Sequence, residues 1–351
     1  MSDVERLVAA MRPALAAAPE GPIGVAVSGG GDSLALLLLL RRWAAEAGRG
    51  IAAVTVDHGL RPESGGEAAA VAAVCAARGI PHEVRRWQGW NRTGNLQDRA
   101  RAARRSLIAD WAQSRGLGAV ALGHTLDDQA ETFLMRRARG SGVDGLAAML
   151  PAAAGEGLTW LRPLLEVRRA ALRAFLEREG VVWIEDPSNA DPRFDRVRAR
   201  AALAPLATVG LGPERLAATA TRMARARVAL EQATAVLAAA AATPGAAGDV
   251  ELDPGVLLEA PLELRLRLLA GTLVWVSGAV YRPRLAALEA AMAAIEAGRI
   301  GRGLTLHGCV LRPRGDGIAV RREPRHVAPP VPRGLPTTRT GGARGLHARR
   351  W

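Results

Sequence analysis

Ser28-Gly29-Gly30-Gly31-Asp32-Ser33 is the stretch on which the reading of this chain turns. It stands directly after Ile23-Gly24-Val25-Ala26-Val27, an apolar run that reads as a buried strand, and directly before Leu34–Glu46, which reads as a helix. Glycines let a backbone adopt positive φ and approach a ligand closely. Amides at such a turn, with the helix N-terminus behind them, form a nest suited to an anion. Ser28 and Ser33 carry hydroxyls able to donate to phosphate oxygens. Asp32, an acceptor only, either caps the helix or reaches a metal. The motif is not the P-loop of ordinary nucleotide hydrolases, because Gly-Lys-Ser/Thr is missing and the chain contains no lysine. Nor does its glycine spacing match the dinucleotide fingerprint.

Outward from that loop the chain alternates strand-like and helix-like runs. Ile51–Val56 reads as a second strand, about Glu67–Arg78 as a helix, and His82–Arg86 as a third strand. Asn95–Ser114 reads as a long helix, Ala119–Leu122 as a strand, and Leu126–Arg137 as another helix. Strands alternating with helices of this length predict an α/β fold, a doubly wound parallel sheet with helices on both faces. Ligands on such sheets sit beyond the carboxyl ends of the strands, where residues 28–33 fall. Later the pattern changes. Pro213–Ala242 reads as a long Ala- and Arg-rich helix ended by Thr-Pro-Gly-Ala-Ala-Gly at 243–248, with further helices over Pro261–Val276 and Arg282–Ala297. Short β-like runs follow at 304–306, 310–311 and 317–320. The expected division is a catalytic domain over 1–207, a second, smaller, mostly helical domain over 208–324, and a basic tail over 325–351 whose composition predicts disorder.

Composition narrows the class. Hydrophobic residues make up 49% of the 351, a globular proportion. The apolar stretch Leu34–Leu40 is far too short to span a bilayer, and the first twenty residues lack a secretory layout, so a cytoplasmic location is expected. Net charge is +13, carried by 47 basic residues that are all arginine. A G+C-rich genome favours Arg and Ala codons, but it does not explain the excess of base over acid, which points to a polyanion, nucleic acid before a membrane surface. Arg193, Arg196, Arg198, Arg200, Arg215, Arg222, Arg225 and Arg227 face only Asp195 and Glu214 within their segment, and six arginines without an acid follow from Arg325. Cys75 and Cys309 match neither a disulfide framework nor a zinc spacing and read as small buried hydrophobes.

Ser28-Gly29-Gly30-Gly31-Asp32-Ser33 resembles the PP-loop of the N-type ATP pyrophosphatases, in which the loop binds the pyrophosphate part of ATP. Within that superfamily the chain is similar to the tRNA(Ile)-lysidine synthases through several segments taken in order. These are Val56-Asp57-His58-Gly59-Leu60-Arg61-Pro62-Glu63-Ser64, Asn95–Arg104, Leu122-Gly123-His124-Thr125-Leu126-Asp127-Asp128-Gln129-Ala130-Glu131-Thr132, Arg139–Leu146, Arg162-Pro163-Leu164-Leu165 and Trp183-Ile184-Glu185-Asp186-Pro187-Ser188-Asn189. The resemblance covers about residues 20–205; beyond it only 306–310 and 320–323 look familiar. The chain departs from the pattern at Thr125, where a second His is common, and at Arg105, where an aromatic is common.

The resemblance implies ATP and Mg²⁺ as cofactors. Its implied substrates are free L-lysine and the wobble cytidine of an isoleucine tRNA with a CAU anticodon; a homodimer is left open. The implied reaction adenylates the C2 carbonyl oxygen of that cytidine, then replaces AMP by the ε-amine of lysine. Residues 28–33 with His58 and Arg61 would hold the nucleotide, although Arg61 also reads as a solvated charge. Asp127 and Glu131, four apart, share a helix face with Asp128 beside them. Asp32, Asp127 and Glu131 form the expected metal set, against the simpler reading that acids favour a helix N-terminus. Asp32, Asp127, His124 and Arg104 are the expected catalytic residues. His124 touches phosphate, shuttles a proton or is structural; Arg101 and Arg104 face the triphosphate or the tRNA. Asp186, Ser188 and Asn189, with Arg101, Arg193, Arg196, Arg198 and Arg200, are expected to contact the anticodon loop, since single-stranded loops are where proteins read RNA. Trp183 packs in the core or stacks a base. Asp144 and Glu185 are candidates for the lysine ammonium, and the domain over 208–324 is expected to bind tRNA. The rival readings are sulfur transfer to tRNA, disfavoured by the lack of a cysteine pair, and a tRNA-binding protein with a relict nucleotide site.

Overall fold

Ile23–Ala26 forms β1, buried along its whole length. Its side chains alternate between two cores: Ile23 and Val25 join one, and Ala26 joins the other on the opposite face. That alternation is the period of two expected of a strand with helices on both sides. The computed structural model describes residues 1–59, 64–87, 96–185 and 191–324. It divides into two compact units, Met1–Arg225 and Ala226–Trp351.

The first unit runs α1 (Asp3–Leu15), β1, α2 (Gly31–Glu46), β2 (Ile51–Asp57), α3 (Ser64–Ala76), β3 (His82–Arg86), α4 (Leu96–Ser114), β4 (Ala119–Ala121), α5 (Leu126–Ala138), α6 (Val143–Leu146), β5 (Ala152–Gly155), β6 (Leu158–Leu161), α7 (Arg169–Arg178) and α8 (Asp195–Thr208). α9 (Pro213–Ala241) follows, beginning in the first unit and ending in the second. The six strands are ordered β3-β2-β1-β4-β6-β5. β1 pairs in parallel with β2 on one side (Ile23 opposite Ile51) and with β4 on the other (Gly24 opposite Val120). The chain therefore winds outward in one direction through β2 and β3, then returns to the far side of β1 as β4. The reversal opens a crevice at the carboxyl ends of β1 and β4, the place where such sheets bind ligands. Residues 28–33 leave β1 there, and Leu122–Thr125 leave β4 there.

α2 shows why that crevice is rigid. Leu34 to Leu40 are all buried, so this helix is wrapped by apolar neighbours from α1, α7 and β1 instead of presenting one wet face. The opposite core places Trp111 of α4 and Trp160 of β6 against Ala26, Val54 and Val120.

Two features differ from the sequence expectation. The sheet is mixed, because β5 and β6 form an antiparallel hairpin at its edge. Ala152-Ala153-Ala154-Gly155 has low intrinsic strand preference, and pairing with Leu158–Leu161 makes it a strand. The second unit is less helical than expected. Beside α10 (Pro254–Glu259), α11 (Leu262–Ser277) and α12 (Leu285–Glu296) it holds a five-stranded antiparallel sheet. Its order is β7 (Ala242–Pro244), β8 (Val250–Leu252), β11 (Gly317–Arg322), β10 (Cys309–Arg314), β9 (Leu304–Leu306). The Thr-Pro-Gly turn read as a helix end is the start of that sheet, and strands of three residues carry too little periodicity to announce themselves. The segment 325–351 lies outside the described residues.

Candidate active site

The crevice is a cleft of about 860 Å³ in the first unit, with Ser28, Gly30–Ser33, His58, Arg101, Arg104 and His124 among its lining residues. Its floor is the loop between β1 and α2. Gly29 has φ of +85°, a backbone conformation that favours glycine, and a Cβ there would push Ile184 Cδ1 aside from 2.7 Å. Gly30 is the N-cap of α2 and supplies no side-chain cap, which leaves the helix amides facing the cleft. Ser33 braces the loop from inside: its hydroxyl accepts from Ser28 N at 3.1 Å and donates to the Gly30 carbonyl at 2.8 Å. Ser33 is buried, so of the two serines it is Ser28 whose hydroxyl is exposed to a ligand. β4 presses against the same loop. A Cβ at Gly123 would stand 3.1 Å from the Ser33 N and Cα.

The cationic wall comes from α4 and the end of β6. Arg101, Arg104, Arg105 and Arg162 line the cleft. Arg105 is held by both oxygens of Glu156 and lies 4.9 Å from the Trp160 ring centre. Neither Arg101 nor Arg104 has a carboxylate partner among the described residues. Arg104 keeps accessible surface because the cleft is wide, yet protein surrounds its guanidinium; desolvation, then the charge of Arg101, draws its pKa down. A guanidinium in that state gains most from an incoming anion. His58, at the end of β2, has a pKa lowered by burial and by Arg104, and its buried Nδ1 has no hydrogen-bond partner among the described residues. His124 is pushed down to about 4, chiefly by burial and, against the pull of Asp128, by Arg162, Arg196 and Arg104. It is therefore neutral at pH 7, and its buried Nδ1 likewise has no hydrogen-bond partner among the described residues.

The acidic wall is organised around a residue that the sequence did not single out. Arg169, the first residue of α7, donates from Nε to Asp32 Oδ2 at 3.0 Å. Its Nη1 donates to Glu131 Oε1 and its Nη2 to Asp128 Oδ1, both at 3.1 Å. Its backbone amide donates to Asp127 Oδ2 at 2.8 Å. Arg200 Nε adds a 2.8 Å bond to Glu131 Oε1, and Arg196 Nε stands 3.1 Å from Glu131 Oε2 as an ion pair outside hydrogen-bond geometry. Arg196 and Arg200 are four apart on α8 and so share the face turned to Glu131. Burial raises Asp32 above the ordinary carboxylate range despite Arg169. Burial works the same way on Asp128, but there Arg196, Arg169 and the Thr125 amide outweigh it and hold the carboxyl low.

The expected metal set is met by arginines in this structure. Asp32, Asp127 and Glu131 are not gathered around one point, and no cluster of three or more His, Cys, Asp or Glu suited to a metal exists among the described residues. Arginines already occupy the carboxylates. Asp127 takes Arg168 Nε at 3.2 Å on both oxygens as well as the Arg169 amide, and it lies outside the cleft lining. It thus caps α7 from another helix. Asp32 does line the cleft, and it neither caps α2 nor meets a second acid of the expected set.

The other expected contacts fall out as follows. Arg101 and Arg196 line the cleft; Arg193 is paired with Asp191, and Arg198 with Asp195, away from it. Arg61, Asp186, Ser188 and Asn189 lie outside the described residues. Trp183 is half-buried, packs against the main core and also lines the cleft beside Gly31. Glu185 lines the cleft and Asp144 does not. Sequence reasoning missed Arg162, Arg169 and Arg173 as site residues, while Arg200, expected at the anticodon loop, lines the cleft. Arg162 lay in a quoted motif, whereas nothing near Arg169 separates it from any surface arginine. Both cysteine thiols are buried and pushed up to about 11, which is unlike a reactive sulfur.

Comparison with known proteins places these residues in a lineage. A family model described as a PP-loop domain matches residues 3–207. A tRNA(Ile)-lysidine synthase of Ruegeria pomeroyi is 48% identical over 317 residues, covering 90% of this chain and 75% of its own. One from Methylobacterium sp. is 42% identical, covering 87% and 90%, and one from Rhodopseudomonas palustris is 40% identical, covering 85% and 89%. Among solved structures, the U34-tRNA thiolase NcsA of Methanococcus maripaludis superposes with a TM-score of 0.55 at 18% identity, covering 64% of this chain and 80% of that one, a likeness of fold.

Proposed function

Because the chain belongs to the PP-loop family, and within it to the tRNA(Ile)-lysidine synthases, we propose that its cleft adenylates the wobble cytidine of a CAU-anticodon isoleucine tRNA and delivers it to free L-lysine. The enzyme is an ATP-dependent ligase that forms a carbon–nitrogen bond. The observation that carries the cleft assignment is the loop of residues 28–33 facing Arg104, a guanidinium without a carboxylate partner among the described residues. One side offers backbone amides and the other a cation, so a polyphosphate is held from both.

In the first step the C2 carbonyl oxygen of the cytidine attacks the α-phosphorus of ATP. A P–O bond forms, the bond to the β-phosphate oxygen breaks, and pyrophosphate leaves with that electron pair. The amides of residues 28–33 hold the departing pyrophosphate, and Arg101 and Arg104 neutralise charge at the phosphates. In the second step the ε-amine of lysine attacks C2, and AMP leaves with the oxygen. Asp32 and Glu185 line the cleft with only one oxygen of each bonded among the described residues, which leaves them as carboxylates for a lysine ammonium. Neutral His124 is suited to hydrogen bonding with the bound nucleotide or base.

Mg²⁺ fits this site as a guest of the nucleotide and not of a protein cage, because Mg²⁺ typically takes one or two carboxylates and completes its shell with phosphates and water. Asp32 is the candidate ligand: it lines the cleft, and only Oδ2 is bonded to Arg169. When bound, Mg²⁺ supplies charge neutralisation at the phosphates. Arg196, together with the Asp186–Asn189 segment, is assigned to the anticodon loop. The reaction belongs in the cytoplasm, where tRNA, ATP and lysine meet. No helix among the described residues is long and apolar enough to cross a membrane.

The test is incubation of the protein with an unmodified transcript of that tRNA, ATP, Mg²⁺ and isotopically labelled lysine, followed by mass analysis of the nucleosides. One labelled lysine should appear on the wobble cytidine for each AMP and each pyrophosphate released. AMP release that ignores the tRNA, or none at all, would defeat the proposal.

A further inference from the structure

Arg169 is the residue on which the two halves of the cleft converge. It is mostly buried, lines the cleft, and aims each of its three side-chain nitrogens at a different carboxylate. Asp32 belongs to the nucleotide loop, 137 residues away in sequence, while Asp128 and Glu131 belong to α5. The links continue beyond the guanidinium. Asp128 Oδ2 accepts from the Thr125 amide at 2.7 Å, and Thr125 follows His124 directly. Asp127 meanwhile fixes the Arg169 backbone, so α7 cannot slide relative to α5 without breaking that bond.

We propose that Arg169 is a positioning residue for adenylation, locking Asp32 of the nucleotide loop to Asp128 and Glu131 of α5 and, through the Asp128–Thr125 bond, to the turn that holds His124. The inference rests on the ligase reading above. A planar guanidinium with fixed donor directions serves three acceptors at once, which a lysine ammonium on a flexible stem cannot do from this site. Small errors of placement are costly when reaction depends on a near-attack geometry.

The test compares Arg169→Lys, which keeps the charge and loses the fork, with wild type and with Asp32→Asn. The measurements are the thermal midpoint, tRNA affinity, calorimetric binding of Mg·ATP, and kcat for tRNA-dependent AMP formation. R169K should melt within about 3 °C of wild type and bind tRNA within about twofold, yet bind Mg·ATP about tenfold more weakly and lose about 30-fold or more in kcat. The R169K/D32N double variant should bind Mg·ATP no more weakly than the worse single variant, because both changes break one link. Additive losses in that cycle would overturn the proposal. So would an R169K rate within threefold of wild type, or an R169K chain unfolded at 20 °C beside a folded D32N chain, since Arg169 would then serve the fold alone. Wild-type protein that binds Mg·ATP but makes no tRNA-dependent AMP would instead refute the ligase reading, and the binding cycle would still judge Arg169.

Discussion

Glu131→Gln should unfold the first unit at a markedly lower temperature, and the structure sets the size of the effect. Glu131 is fully buried and faces three guanidiniums: Arg169 at 3.1 Å, Arg200 at 2.8 Å and Arg196 at 3.1 Å. Glutamine keeps the volume and one acceptor but removes the charge. Cutting one partner out of a buried ion pair costs about 3–5 kcal/mol, because the surviving charge stays desolvated. Here two of the three survivors can rehydrate, as the Arg196 and Arg200 side chains are 44% and 38% exposed. That places the loss at the low end, about 3 kcal/mol, once solvent screening of those two is allowed for. In a unit of this size each kcal/mol moves the midpoint by about 2–4 °C, so the drop should be roughly 6–12 °C. Glu214→Gln is the control. It removes an acid that also pairs with an arginine, Arg168, but with a side chain 61% exposed, so its cost should stay under about 1 kcal/mol. Scanning calorimetry of both variants at low and at 0.5 M salt is the assay, and the Glu131 deficit should persist at the higher salt. A shift under 2 °C, or one equal to that of Glu214→Gln, would refute the view that this buried charge is held by its three arginines.

Gly123→Ala should press the nucleotide loop by a few tenths of an ångström, since the new methyl meets backbone atoms of Asp32 and Ser33 that cannot swing aside. Calorimetry should find Mg·ATP binding weakened several-fold and stability lowered by about 1–3 kcal/mol. Arg104→Gln should lower kcat/KM for tRNA-dependent AMP formation by about 10²–10³, the usual result of deleting a donor aimed at developing charge, with the melting temperature unchanged or raised; a loss under tenfold would remove Arg104 from the phosphate site. His124 binds its proton far less readily in the folded chain, near pH 4, than at its ordinary 6.5. The unfolded chain therefore takes up that proton first, and stability from this group is present above pH 6.5 and lost as pH falls toward 4, about 3 kcal/mol in all. Urea titrations should show wild type losing roughly 2–3 kcal/mol more than His124→Asn between pH 7 and 4.5; parallel slopes would show that His124 is not held neutral.

How much of this was legible beforehand depends on the distance over which each residue acts. The strand, loop and helix at 23–46 could be read because every signal there is local: apolar alternation, a glycine triplet, then a run of leucines buried on all sides. The parallel, doubly wound sheet followed from helices of sufficient length between strands, and with it the carboxyl ends of the strands as the ligand side, whereas the order β2-β1-β4 came only with the structure. The two strands beyond β4, β6 and β5, were not legible, because the alanine-rich β5 becomes a strand only by pairing with β6. The same limit governed the carboxylates. Spacing of four put Asp127 and Glu131 on one helix face, and that is where they lie, but spacing says nothing about what a face meets. A row of acids opening a helix fits a metal or an arginine equally well until the partner element is placed. Here the partner is α7, arriving 38 residues after Glu131, and it brings Arg169. The chain has no lysine and 47 arginines, so a single arginine carried no weight in the sequence. Only three-dimensional convergence distinguishes the one that touches Asp32, Asp128 and Glu131 together from the many that touch a single acid at the surface. An arginine-rich composition therefore hides such hubs in a particular way: it supplies so many cations that the sequence cannot show which of them is enclosed by carboxylates, while the fold, by burying Glu131 completely, leaves that residue no alternative to being met by guanidiniums.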